Sequence, residues 1–136
     1  MGRFQRANCM SYALNRKRWM IPVGWADFES NWGDTNPEDM VNTMAFQFNL
    51  KRVSQHEMTK GKEYIAFRYE VCYDGEDEVD YVGDFHFIKR HKTGHWTHKR
   101  GSYAVEGISQ AAVFADEWYN GDYTYNSDLY LFEVLG

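Results

Sequence analysis

Cys9 and His86 are the side chains whose types suit thiol-dependent hydrolysis. A nucleophilic cysteine needs a depressed pKa, a base within hydrogen-bond reach and a third group that orients the base. Asn8 is a favourable N-cap, so Cys9 is predicted to lie in the first turn of a helix. There the unpaired backbone N–H groups and the helix dipole stabilise a thiolate. The sequence therefore predicts an activated cysteine at position 9.

The base is predicted to lie on a strand that runs from Val79 to Lys89. Successive side chains of a strand point to opposite faces. The two predicted faces consist of Val82, Asp84, His86 and Ile88 on one side and Phe85 and Phe87 on the other. The next predicted strand carries His95 and His98, either of which could lie beside His86 and orient its imidazole ring.

Two segments of the chain resemble small papain-like hydrolases, of which the NlpC-type and CHAP-type cell-wall amidases are the best-known branch. The segments are Asn8-Cys9-Met10-Ser11-Tyr12-Ala13 and a hairpin that contains Asp84-Phe85-His86-Phe87 and Trp96-Thr97-His98-Lys99. In that family the nucleophile opens a helix, the base lies in the following sheet, and a polar residue on the neighbouring strand orients the base. The resemblance implies that Cys9 is the nucleophile, His86 the base and His98 the orienting residue.

The resemblance also implies a peptide or protein substrate that is cleaved at an amide bond without a cofactor. Four further members of the two segments are expected to contact that substrate: Asn8, Tyr12, Asp84 and Trp96.

A zinc site is the main alternative for the histidine-rich segment. His91, His95 and His98 could form a tetrahedral set with Cys9 or Asp84. The segment is predicted to be a turn between strands, with His95 and His98 pointing to opposite faces. We therefore expect no metal.

A binding protein without catalytic activity is the second functional hypothesis. The sequence has 15 basic and 20 acidic side chains, a net charge of −5 and 18% aromatic residues. This balance argues against non-specific nucleic-acid binding, which requires a basic face. An acidic run from Asp74 to Asp80 and an acidic, aromatic tail from Asp116 to Glu133 would suit a phage-type protein that occupies and inhibits a host protein. The sequence leaves the oligomeric state open.

The order of predicted elements favours a single α+β domain over residues 1–136, with N-terminal helices packed on an antiparallel sheet. After the Cys9 helix, Asn36-Pro37-Glu38-Asp39 predicts the start of a second helix that ends near Leu50. The other predicted elements are a strand Lys62–Tyr73 paired with Val79–Lys89 as a hairpin, a short helix over Ser109–Glu117 and a strand Tyr123–Val134.

The N-terminal residues contain no apolar targeting segment, and no apolar run approaches the about 18 residues of a membrane span. Cys9 and Cys72 are too few for a secreted disulfide scaffold. A cytoplasmic protein without a membrane partner is therefore expected.

Overall fold

The structure, a computed structural model, describes residues 9–14, 37–76, 79–100 and 103–136. Its helices within these ranges are α1 (Cys9–Ala13), α2 (Pro37–Gln47) and α3 (Gln110–Val113), with a 3-10 turn at Gln55–Glu57. Its strands are β1 (Leu50–Arg52), β2 (Tyr64–Asp74), β3 (Val79–Arg90), β4 (Trp96–Lys99), β5 (Val105–Ile108), β6 (Trp118–Asn120), β7 (Tyr123–Tyr125) and β8 (Tyr130–Val134).

The strands form one antiparallel sheet of six and a separate two-stranded ribbon. The order in the larger sheet is β1-β8-β2-β3-β4-β5, and β6 pairs with β7 in the ribbon. One main helix and a many-stranded antiparallel sheet confirm the α+β class. No helix in the described ranges is both long and apolar enough to cross a membrane.

Helix α2 begins as predicted, with Pro37 at its first position and two acidic residues, Glu38 and Asp39, in its first turn. Its buried stripe consists of Met40, Val41, Met44 and Ala45. The predicted end near Leu50 is wrong: the helix ends at Gln47, because Asn49 takes a positive φ of 55° that turns the chain into β1.

The predicted hairpin is confirmed as β2 paired with β3, in a register that puts Arg68 opposite His86. One face of the sheet carries the first core cluster, which contains Cys9, the α2 stripe, Ile65, Phe67, Tyr69, Phe85 and Phe87. The other face carries the second cluster, which contains Ala66, Ile88, Trp96, Val113, Trp118, Tyr125 and Leu131. The two faces predicted for β3 are therefore correct at the described positions.

Two C-terminal predictions need correction. The short helix is confined to Gln110–Val113, with Ser109 as its N-cap. The strand predicted over Tyr123–Val134 is split into β7 and β8, because the residues between them bind a bulge in β2 through their side chains. Ser127 Oγ accepts from the N–H of Tyr69 at 3.0 Å, and Asn126 Oδ1 accepts from the N–H of Val71 at 2.8 Å.

Helix α1 lies against β3 and β4, on the face of the first cluster. Cys9 opens this helix, as predicted. The predicted cap Asn8 lies outside the described residues, as do Asp77 and Glu78 of the acidic run.

Candidate active site

The side chains of His86 and His98 form a direct pair between two neighbouring strands. The register of β3 and β4 puts His98 opposite Ile88. His86 is two residues before Ile88 on β3, so the side chains of His86 and His98 point to the same face of the sheet. His86 Nε2 lies 2.9 Å from His98 Nδ1. The His86 ring is 4% exposed and contacts the rings of Tyr125 and Trp118. The structure thus brings together the predicted base and its predicted orienting residue.

Glu106 on β5 extends the pair. Its Oε1 lies 3.4 Å from His98 Nε2 and 2.6 Å from Arg100 Nε. The β4–β5 register explains the first contact, because it puts Glu106 directly opposite His98. A carboxylate can only accept a hydrogen, so Glu106 favours a proton on Nε2 of His98.

These contacts assign the tautomers of the two imidazoles. With its proton on Nε2, a neutral His98 has an acceptor at Nδ1. His86 must then donate from Nε2 in the 2.9 Å contact. A neutral His86 is left with an unprotonated Nδ1, which is the state that a general base requires.

Both imidazoles are held in the neutral form. Burial lowers the pKa of His86 to about 3, and positive charge on His98 and Arg100 acts in the same direction. Burial also lowers the pKa of His98, while Glu106 raises it and Arg100 lowers it. His86 is therefore a neutral base at physiological pH, with a low affinity for a proton in the resting state.

Cys9 is buried in the resting structure. It is 5% exposed, and its Sγ lies 3.9 Å from the carbonyl oxygen of Phe85, the residue before His86. Burial raises the pKa of the Cys9 thiol to about 12, backbone hydrogen bonds at Phe87 lower it, and the charge of Asp84 raises it. The lowered pKa expected from the helix start is therefore wrong for this state, because burial has the larger effect.

The thiol and the imidazole flank the same strand from different sides. Cys9 belongs to the first core cluster, whereas the ring of His86 packs with Tyr125 and Trp118 beside the second cluster. Although both residues lie in the described part of the chain, the structure contains no hydrogen bond between them. Cys9 and His86 are thus neighbours across β3 and do not form a closed dyad.

The residues predicted to contact substrate have separate positions. Tyr12 Oη lies 2.6 Å from Thr97 Oγ1, which fixes α1 to β4. Asp84 is half-buried on the His86 face and accepts from Tyr125 Oη at 2.6 Å; burial raises its pKa. Trp96 is buried in the second cluster, where it packs against Phe114. Asn8 lies outside the described residues.

The histidines considered for zinc are divided between the two faces of the sheet. His91 Nε2 contacts Thr97 Oγ1 and its ring stacks on His95, whereas His98 faces His86. In the described ranges, no group of three or more His, Cys, Asp or Glu side chains is arranged to hold a metal ion.

A cleft of about 290 Å³ opens beside the imidazole pair. It is lined by His86, Ile88, His98, Ile108, Ala112, Ala115, Glu117, Trp118 and Tyr119. Most of this lining is apolar, and Glu117 supplies a carboxylate. The cleft therefore gives a ligand access to the His86–His98 pair from the face opposite α1.

Sequence reasoning missed Glu106 as a member of the site. Glu106 could not be assigned because β5 and its register with β4 were not predicted.

No protein-family model matches the chain, and neither the curated proteins nor the solved structures contain a match. The resemblance to papain-like hydrolases stays a prediction that depends on the two quoted segments.

Proposed function

We propose that the protein is a thiol-dependent hydrolase, a cysteine peptidase or amidase that cleaves an amide bond. Cys9 is the nucleophile, His86 is the base and His98 orients the base. The observation that carries the proposal is the contact chain from His86 through His98 to Glu106, because it leaves His86 Nδ1 free to accept a proton.

The proposed reaction has two halves. The Cys9 proton passes to His86 Nδ1 while the sulfur attacks the carbonyl carbon of the amide. The proton then passes to the leaving amine as the carbon–nitrogen bond breaks, which leaves a thioester on Cys9. Water attacks the thioester and gives one proton to His86, and this proton returns to the sulfur when the acid product leaves.

Charge development on His86 is the difficult step, since burial lowers its pKa to about 3. Glu106 supports the protonated imidazole through His98, as the carboxylate does in a hydrolase triad. The structure keeps the Cys9 thiol and the His86 imidazole on opposite faces of β3, an inner strand of the sheet, so the proposal requires a rearrangement of α1 that brings Sγ to His86 Nδ1.

The test is cleavage of a peptide library of defined sequences, with products identified by mass spectrometry. Cys9→Ser and His86→Ala should each reduce cleavage at least about a hundredfold, and the double variant should lose little more, because a nucleophile and its base act as a unit. Cys72→Ser and His56→Ala are the matched controls and should retain activity. Full activity of Cys9→Ser would contradict the proposal.

A second candidate is a binding protein that inhibits its partner by occupying a surface. The exposed hairpin β6–β7 favours it: Tyr119 is 68% exposed and Tyr123 46%, and Asp116, Glu117 and Asp122 lie beside them. If this candidate is correct, Cys9→Ser should not change the amount of partner that the protein captures in a pull-down. Charge reversal at Asp116 and Glu117 should weaken capture, with an effect that decreases at high salt.

A further inference from the structure

The cleft beside the His86–His98 pair has the size and the lining of a small-molecule site. Its volume is about 290 Å³. An apolar cavity of about 150 Å³ is enough to hold benzene, so this cleft has room for a compound of two fused rings. Ligand sites combine an apolar lining with a few polar groups that fix the orientation of the ligand. The polar groups of this cleft therefore indicate what kind of molecule it accepts.

The walls of the cleft are held in place by hydrogen bonds within the protein. Trp118 is buried, and its Nε1 donates to the carbonyl of Val113 at 2.9 Å, which joins β6 to α3. Its ring lies edge-on to that of His86, with the centroids 6.0 Å apart. At the start of α3, the N–H of Ala112 donates to Ser109 Oγ at 3.2 Å. The cleft is thus preformed, and its aromatic walls favour a flat ligand.

His86 offers the cleft a hydrogen-bond acceptor. Its Nε2 is used by His98 at 2.9 Å, and in the described part of the chain its Nδ1 has no hydrogen-bond partner. Nδ1 is not one of the fully enclosed polar atoms that lack a partner, so it is open to the cleft that His86 lines. The tautomer that Glu106 favours through His98 leaves Nδ1 unprotonated. A ligand in the cleft is therefore expected to carry an N–H or O–H donor.

The charged groups at the cleft disfavour an anion. Glu117 contributes a carboxylate to the lining, and its Oε1 accepts from Tyr119 Oη at 2.5 Å. The buried Arg68 does not line the cleft: its guanidinium packs over the ring of Trp118 and donates to the carbonyl of Ala115 at 2.6 Å. Because a carboxylate repels an anion more strongly in a poorly hydrated site than in water, the expected ligand carries no negative charge.

We propose that this cleft binds a small neutral aromatic molecule of two fused rings, which donates one hydrogen bond to His86 Nδ1. The observation that carries the inference is an unpartnered acceptor on a buried side chain that opens onto an apolar cleft with fixed walls. The inference goes beyond the proposed function and does not depend on Cys9, which lies on the other face of β3. In a hydrolase, such a ligand occupies the base and inhibits cleavage.

Indole is the probe, because it has two fused rings, no charge and one N–H group. Benzofuran is the matched compound, in which an oxygen replaces the N–H. Isothermal titration calorimetry measures both affinities. Indole should bind at least about tenfold more tightly than benzofuran, because benzofuran leaves Nδ1 of His86 without a donor. Indole-3-acetate should bind at least about threefold more weakly than indole, because Glu117 repels its carboxylate.

Two alanines of helix α3 test the location of the site. Both are exposed, but Ala112 lines the cleft and Ala111 does not. Ala112→Trp should fill the cleft and weaken indole binding at least about tenfold, whereas Ala111→Trp should stay within about twofold of the parent. In the parent protein, indole should also shift the ¹⁵N resonance of His86 Nδ1, and benzofuran should leave that resonance nearly unchanged.

Equal affinities for indole and benzofuran would overturn the inference, as would unchanged indole binding in Ala112→Trp that is folded by circular dichroism. If Ala112→Trp does not fold, the comparison of the two compounds and the Nδ1 resonance in the parent protein decide. Binding is measured without peptide cleavage, so its failure leaves the proposed function standing. Full cleavage activity of Cys9→Ser, in turn, contradicts the proposed function and leaves this site standing.

Discussion

At the scale of single residues, the chain of contacts from His86 through His98 to Glu106 affects both the proposed chemistry and the stability of the fold. The pair is buried, neutral and joined by a 2.9 Å contact. As the pH falls, a buried imidazole with a lowered pKa binds a solvent proton in the unfolded chain before it does so in the folded protein. The group that is proposed to act as the base therefore also makes stability depend on pH.

The sign of this dependence follows from the pKa of His86, which is about 3 in the folded state against an ordinary value of 6.5. The unfolded chain binds the proton first as the pH falls, so stability is fully present above 6.5 and is lost towards 3. We expect His86 to lower the free energy of unfolding by roughly 2 kcal/mol between neutral pH and about pH 5. Urea denaturation at each pH measures it.

The controls for this measurement are two histidine variants. His86→Leu should reduce the decrease in the free energy of unfolding between about pH 7 and about pH 5. A substitution at the exposed His56, His56→Ala, should leave that decrease unchanged. If His86→Leu loses as much unfolding free energy on acidification as the parent protein, another group is responsible for the pH dependence.

Cys9 shows how two opposite effects on one thiol compare in size. A favourable charge at a helix terminus contributes about 0.3–1 kcal/mol. The rise in pKa from 9.0 to about 12 on burial corresponds to about 4 kcal/mol. Burial therefore outweighs the helix start, and the pKa of Cys9 is raised in spite of its position at the start of α1.

At the scale of elements, helix α2 covers one face of the sheet with a methionine-rich stripe. Met44 is fully buried, whereas Phe46 on the same helix is 90% exposed. The stripe belongs to the first cluster, which also holds Cys9. Packing of α2 therefore supports the face against which α1 lies.

Truncation of these two side chains tests that packing. Met44→Ala should lower the free energy of unfolding by about 2–5 kcal/mol, because it leaves a cavity in the core. Phe46→Ala removes a larger side chain and should change it by less than about 0.5 kcal/mol. Chemical denaturation of both variants gives the comparison, and similar losses would contradict the position of the stripe.

The elements that could be predicted from sequence are those with a long periodic pattern. The start and stripe of α2 and the β2–β3 hairpin fall in this class. The pairing of β3 with β4, which follows in the chain, places His98 beside His86. Strands β1, β5 and β6 have only three or four residues, which is too short for alternation to be recognised. Glu106 was missed for this reason, and the buried state of Cys9 depends on tertiary packing that a local pattern does not contain.

At the scale of the whole molecule, the two functional hypotheses use different surfaces. The hydrolase needs the thiol at the start of α1 and the imidazole pair on the other face of β3 to cooperate. The binding protein needs only the acidic, aromatic hairpin β6–β7. The hairpin β6–β7 is a ribbon separate from the six-stranded sheet that carries the imidazole pair, so variants at each surface can be compared in the same folded background.

Acylation of Cys9 is the measurement that tests the hydrolase proposal most directly. The folded protein is treated with p-nitrophenyl acetate at neutral pH, and the acylated residue is identified by peptide mass spectrometry. We predict an acetyl thioester on Cys9 that is absent from Cys9→Ser and forms at least about tenfold more slowly in His86→Ala, since the base is lost. Acylation confined to Cys72 or to lysines, or an unchanged rate at Cys9 in His86→Ala, would contradict the role of Cys9 and His86 in catalysis.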